Sequence, residues 1–298
     1  MTTPSRPLQG ILWMIATGLC FIAVTAIVKY AAQDLPAAEA AFLRYLLGLV
    51  FLLPVARTLL SERVSLGDLR LFGLRGLVHA LGVILWFYAM TQIPIAEVTA
   101  MNYLNPVYVT LGAAIFLGER LAIRRIVAVL VALCGVVVIL RPGFREIETG
   151  HLAMLFTAIL FGASYLCAKP LSGRYSAAMV VAMLSITVTI GLAPFAFAVW
   201  VTPTPTDIAF MFAVAFFATA GHYAMTRAFA AAPISVTQPV TFLQMVWAVL
   251  LGWLVFSEPP DGFVILGAGI IIASVSFIAW REARLRRQVT PSSYATKG

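Results

Sequence analysis

Apolar runs of roughly 20 residues follow one another along almost the whole chain, joined by short polar connections. As helices, at 1.5 Å per residue, such runs cross the ~30 Å hydrocarbon layer of a bilayer. Inside lipid every backbone N–H and C=O has to be satisfied within the protein, which leaves only helices and closed barrels. Barrel strands would show as alternating segments of about 10 residues, and these runs do not alternate. Charge points the same way. Only 11% of the 298 residues are charged, against about 25% in a soluble domain, too few to build a soluble surface. The chain is therefore predicted to be an all-α polytopic membrane protein. Ten transmembrane spans are expected, near 9–31, 37–57, 68–91, 95–117, 122–140, 150–170, 177–200, 207–231, 234–256 and 261–281.

The net charge of +8 is not the footprint of nucleic-acid binding. With the N-terminus in the cytoplasm, 16 Lys and Arg fall on the inner side and 4, Lys29, Arg44, Arg141 and Arg145, in the outer half. The positive-inside bias thus places both termini in the cytoplasm. Trp200 and Trp280 lie near span ends, as interfacial anchors do. Cys20, Cys134 and Cys167 lie inside apolar runs at unrelated spacings and read as small core residues, not as a disulfide framework or metal site. The first run is too long for a cleavable signal peptide, and no small-residue cleavage site follows it. The basic residues 282–298 are expected to form a disordered cytoplasmic tail.

The fourth and ninth runs resemble each other. Residues 94–121 align without gaps on a segment 139 residues later, matching Pro94/Pro233, Ile95/Ile234, Leu104/Leu243, Val107/Val246, Leu111/Leu250 and Glu119/Glu258. At an offset of 140 the first run matches the sixth through Gly10/Gly150, Leu12/Leu152, Met14/Met154, Thr17/Thr157, Phe21/Phe161, Ala23/Ala163 and Lys29/Lys169, and the second matches the seventh at Pro54/Pro194. Two five-span units follow, 1–145 and 146–281. Five is odd, so the second unit enters the membrane upside down. This is a 5+5 inverted-topology repeat, an organisation typical of secondary transporters with a substrate site near the midplane.

Ten spans in that repeat, Gly118-Glu119 and Ser257-Glu258 closing the fourth and ninth spans, and Arg44 in the second span after an acidic outer loop resemble the EamA-type branch of the drug/metabolite transporter superfamily. The resemblance covers residues 9–281. Within that branch the chain is most similar to bacterial inner-membrane amino-acid exporters, including those for aromatic amino acids. The resemblance implies a central cavity lined by spans 1, 3, 4, 6, 8 and 9, with spans 5 and 10 peripheral. It also implies export from the cell and residence in the bacterial inner (plasma) membrane. One departure matters. Small multidrug members of the superfamily use a membrane-embedded Glu in their first helix for proton coupling. Here the only ionisable group of that span is Lys29, so Glu-based antiport is not expected.

Polar groups deep in a membrane are costly unless they face protein or a wet cavity, which selects the candidate substrate-binding residues. The third span carries Arg75, His79, Gly82 and Trp86 on one face; His79 lies near its middle and is the only plausible deep proton carrier. The fourth carries Thr99, Met101, Asn102, Tyr103, Asn105 and Pro106. Pro106 has no N–H, which frees a carbonyl one turn earlier, beside two amides. The ninth mirrors it with Thr237, Gln238, Pro239, Thr241, Phe242, Gln244 and Trp247. Gln244 is the repeat partner of Asn105, so the two amides are expected to meet near the pseudo-two-fold axis. The sixth span adds Phe161, Ser164 and Tyr165, the eighth Thr219, His222, Tyr223 and Thr226, and the first Trp13, Thr17 and Phe21. Each of these also has a packing reading: buried His or Asn can simply join helices. Glu119 and Glu258 sit at helix C-termini, where the dipole disfavours an anion, and read as structural, pairing with loop bases or capping the next helix. Arg44 is expected to pair with Asp34 or Glu39. Gly267, Gly269 and Ser274 read as tight helix packing.

Enzyme signatures are missing: there is no G-x-S-x-G, H-E-x-x-H or P-loop, no pair of acids inside a span and no metal-site spacing among the three His. No cofactor or metal is expected. A neutral polar cavity with aromatic walls suits a zwitterion. The sequence thus predicts a non-enzymatic carrier, working as a monomer in the lipid bilayer, that moves amino acids by alternating access. Its cargo would be broad and include aromatic and other apolar amino acids. Export of another small metabolite or amphipathic drug is the alternative, with an intramembrane enzyme or a channel as readings of a different class.

Overall fold

The computed structural model describes residues 6–55, 61–117, 123–232 and 234–289. The described residues are helical throughout, apart from short connections. In chain order they form α1 (Pro7–Ala31), α2 (Ala37–Gly48) continued by a 3₁₀ turn (Leu49–Val55), α3 (Leu66–Gln92), α4a (Ile95–Asn102), α4b (Asn105–Leu117), α5 (Ile123–Leu140), α6 (Thr149–Ser172), α7 (Ala177–Ala198), α8 (Pro205–Ala231), α9a (Ile234–Thr241), α9b (Leu243–Phe256) and α10 (Gly262–Val289). Among the described residues nine stretches have the length and hydropathy to cross a membrane. The stretch from 95 to 117 is not among them because it is broken into pieces of 8 and 13 residues.

Local chemistry sets the starts of these helices. Ser65 and Ser176 accept the N–H groups of Asp68 and Met179, while Thr204 and Asp207 form a reciprocal capping box, as orphan N–H groups require. Pro7 and Pro205 occupy first-turn positions where no N–H is needed. The third and eighth spans form helices of 27 residues, about 40 Å each, and begin two residues before the predicted spans. At the C-terminus α10 runs to Val289. The tail expected to be disordered from 282 thus begins as helix, which suits its Arg, Glu, Ala and Leu content.

Packing follows the repeat. α1 lies along α8 and α6 along α3, which is the same pairing after the halves are exchanged; α2 meets α7, and α5 meets α10. The α5–α10 pair is the peripheral one, as expected. Its backbones approach closely: a Cβ added to Gly267 would lie 2.6 Å from the Gly135 carbonyl oxygen. Gly269, expected to pack in the same way, faces open space, with nothing within 4 Å of a Cβ placed there. Cys134 is exposed, so of the three free thiols only Cys20 and Cys167 are partly covered.

The exchange symmetry is not complete. α4a packs against α9b and α10, but among the described residues α9a does not pack to the same degree on α4b or α5 and leans on α1 instead. The bundle is therefore tight between these helices at the end that carries Ile93, Arg145 and Glu258.

Candidate functional site

Both α4 and α9 break at equivalent residues. Around Tyr103 and Leu104 the backbone tightens to three-residue bonds, Tyr103 N–H to Ala100 O at 3.2 Å and Leu104 N–H to Met101 O at 3.0 Å. Pro106, next in the chain, has no N–H to give to the Asn102 carbonyl. In α9 the same tightening joins Phe242 N–H to Pro239 O at 3.2 Å and Met245 N–H to Phe242 O at 3.0 Å. Tyr103 and Phe242 are repeat partners and meet edge to face, 5.7 Å between centroids. The Tyr103 hydroxyl also donates to the Thr241 carbonyl at 3.4 Å. The residues that meet across the repeat are thus the break residues themselves, two positions before the amide pair expected to do so.

Beside this joint lies a cavity of about 70 Å³ lined by Thr25, Trp86, Val98, Thr99, Asn102, Tyr103 and Gln244. Four predicted site residues, Trp86, Asn102, Tyr103 and Gln244, come together here from three spans. Asn105 stands one bond behind: its amide donates to Asn102 Oδ1 at 3.0 Å, and its own Oδ1 is buried without a partner. The buried indole N–H of Trp86 also has no acceptor. Among the described residues no Asp, Glu, Lys, Arg or His lines the cavity. At 70 Å³ it is far below the ~300–1,000 Å³ that a drug-sized ligand needs, so the two sides must part to admit one. A larger space of about 390 Å³ between α5 and α10 is lined almost wholly by apolar side chains and lies on the peripheral pair, away from the joint.

The other predicted residues are placed elsewhere. Met101 is fully buried in the core. His79 Nδ1 lies 3.2 Å from Ser164 Oγ, and its ring stacks on Phe161 at 4.7 Å. Phe161 in turn touches Trp86, 6.5 Å away, so His79 and Ser164 form a layer next to the cavity. Tyr165 is half exposed. His222 packs on Phe21 at 5.2 Å, and Tyr223 on Trp13 at 6.2 Å with Arg227 bonded to its hydroxyl. Thr241 contributes its carbonyl to Tyr103. Glu119 lies outside the described residues.

Glu258 is structural in a specific way. α9b ends at Ser257 in the left-handed region, φ 56°, which folds Glu258 back so that its N–H bonds to Gly252 O at 2.9 Å. The carboxylate then pairs with Lys29 Nζ at 2.5 Å and accepts the Ile95 N–H at 2.9 Å. Lys29 also donates to Ile93 O at 2.8 Å. Glu258 thus pairs with a base in the first span rather than in a loop, and the helix it caps is α4a, in the other half. Arg44 does not pair with Asp34 or Glu39. Its guanidinium lies over the Tyr45 ring at 4.0 Å, and Glu39 accepts the Val201 N–H at 2.8 Å. A third cluster had no sequence signal beyond isolated residues. Buried Glu97 takes both guanidinium nitrogens of Arg145 at 3.0 Å and contacts His151, itself held by the Glu148 N–H.

These features define a class: a helical bundle of membrane-spanning segments with two broken helices meeting at a polar cavity, the plan of a membrane transporter. The sequence profile of the EamA-like transporter family matches residues 8–141 and again 148–280. The chain belongs to the EamA-like transporter family. It is 32% identical over 296 residues to a riboflavin transporter of Vibrio cholerae, covering 97% of this chain and 99% of that one. A riboflavin transporter of Rhizobium johnstonii is also 32% identical, with 96% and 95% covered. An S-adenosylmethionine uptake transporter of Rickettsia prowazekii is 26% identical over 93% and 94%. A solved crystal structure shares the fold, with TM-score 0.60 at 18% identity over 93% of this chain and 98% of the other.

Proposed function

We propose that the protein is a plasma-membrane carrier for a planar aromatic metabolite with hydrogen-bonding edges, riboflavin or a close relative, and that it works by alternating access around the cavity at the α4–α9 joint. The observation that carries this reading is the lining. Trp86 and Tyr103 offer ring faces and edges, the amides of Asn102 and Gln244 and the hydroxyls of Thr25 and Thr99 stand around them, and the Trp86 N–H and the Asn105 carbonyl oxygen have no protein partner. Buried polar groups without partners are what a polar ligand would satisfy. The two riboflavin transporters, similar along almost their full lengths, support the same cargo. An amino acid is the second reading. It is favoured by the two helix breaks, whose chain ends suit a carboxylate and an ammonium.

Thr25 and Gln244 lie on α1 and α9b, while Trp86 lies on α3 and Val98, Thr99 and Asn102 on α4a, which Tyr103 closes. Transport would part these two bodies first at one end and then at the other. The Lys/Arg bias puts the Glu258 end outside, so the conformation described is closed outward. Ten spans, two inverted five-span units and cytoplasmic termini belong to this reading, and flux runs down the substrate gradient.

Counterflow in proteoliposomes tests it. Vesicles loaded with unlabelled riboflavin should accumulate labelled riboflavin saturably, and Asn102→Ala or Gln244→Ala should cut the rate about tenfold. Accumulation of labelled phenylalanine but not riboflavin would replace the flavin reading with the amino-acid one. Accumulation of neither would refute both.

A further inference from the structure

Among the described residues the acids lie at or near span ends, whereas two cations do not. Among the described residues Glu39, Asp68, Glu97 and Asp207 stand in first turns, and Glu258 and Asp261 in a connection. Arg44 and Arg75 lie well inside α2 and α3. Arg75 is only 6% exposed. It donates one bond, from Nη1 to the Val180 carbonyl at 3.1 Å, and its Nε has no partner. Arg44 stacks on Tyr45. No carboxylate among the described residues pairs with either. The two are not scattered. Arg75 and Arg44, with His222, lie within electrostatic range of His79, and Arg44 lies within the same range of His222. Arg75 has Tyr45, Tyr165 and Cys167 around it. The Phe161 ring under His79 leads from this layer to Trp86 and the cavity.

A guanidinium inside a membrane costs several kcal/mol, and a buried charge is ordinarily paired. The simplest alternative is a structural role, with Arg75 tying α3 to α7 through Val180. That role accounts for one of five donors, leaves Nε unsatisfied, and does not explain why a second unpaired arginine shares the layer. Guanidinium groups match oxyanions with paired hydrogen bonds, and Tyr45, Tyr165 and Ser164 supply further hydroxyls nearby.

We propose that Arg44 and Arg75 form an oxyanion-binding subsite, which receives a carboxylate or phosphate group of the substrate while its ring system occupies the cavity at Trp86. The proposal rests on the transport reading above and narrows the cargo from neutral rings to rings bearing an anionic arm. The counter-charge missing from the protein is carried by the ligand.

Quenching of flavin fluorescence on the purified full-length protein tests this by comparing riboflavin with riboflavin 5′-phosphate. The wild type should bind the phosphate ester about tenfold more tightly. Arg75→Gln and Arg44→Gln should each bring the ratio of the two affinities close to one, while Arg75→Lys keeps part of it. Equal affinities in the wild type, or a ratio unchanged in both Gln variants, overturns the subsite. A lower melting temperature in Arg75→Gln with the ratio intact identifies a structural cation only. If neither flavin binds, the flavin reading fails separately, and benzoate and inorganic phosphate decide the subsite. A saturable rise in melting temperature with either, lost in both Gln variants, supports it and shows which oxyanion is preferred; no rise with either overturns it.

Discussion

Trp86 lines the cavity, and its buried indole N–H has no acceptor from the protein. Trp86→Phe keeps a ring and removes that donor, so it should weaken riboflavin binding about 3- to 10-fold, the worth of one hydrogen bond. The melting temperature should stay about the same, because no protein bond is lost. Equal affinity in a titration would show that the N–H does not meet the ligand. Asp261 lends itself to a pH test. Burial pushes its carboxyl up, but the Phe263 N–H and the Arg141 guanidinium outweigh this and hold it below its ordinary value. A lowered folded value contributes stability above the unfolded carboxylate range, and that contribution is lost as pH falls through the folded value. Asp261→Asn keeps an oxygen to cap α10 and removes the charge. It should melt earlier than the wild type at neutral pH, with the gap closing below about pH 4; a gap independent of pH would contradict the assignment. At this scale the sequence was readable where residue type alone implied a cavity, as for Trp86, Asn102, Tyr103 and Gln244. It was not readable for Thr25, whose hydroxyl bonds its own helix at the Phe21 carbonyl like many buried threonines. Nor was it readable for Glu97, Arg145 and His151, which only the fold brings together.

The two broken helices show what a repeat can and cannot announce. Both prolines were visible in the sequence, yet they stand at non-equivalent positions, Pro106 at the start of α4b and Pro239 inside α9a. The breaks nonetheless fall on the equivalent residues Tyr103 and Phe242. A proline indicates that a helix is weakened nearby, while the place of the break is set by packing across the joint, which a single sequence does not show. Helix contacts are tested more simply at α5–α10. Gly135→Ala or Gly267→Ala would force a Cβ to within 3 Å of the facing backbone and should lower the melting temperature by several degrees. Gly269→Ala meets open space and should leave it unchanged or raise it slightly through helix propensity. Equal effects at Gly267 and Gly269 would refute the packing described.

At the scale of the molecule, Lys29 and Glu258 join the end of α1 and the segment after α9b to the backbone at Ile93 and Ile95. Both side chains are largely buried, 13% and 15% exposed, so removing one partner leaves the other without its counter-charge. In a variant whose three cysteines are replaced by serine, Thr25→Cys places a thiol on the cavity wall. Adding Glu258→Gln should speed its modification by a polar thiol reagent from the Glu258 side severalfold; an unchanged rate would mean that this pair is no latch. The same thiol gives the most direct test of the central claim, that substrate binds at the α4–α9 joint. Riboflavin should slow modification of Thr25→Cys saturably, with half-protection at the concentration that half-saturates counterflow. Saturable flux with no protection would place the substrate elsewhere and contradict the account.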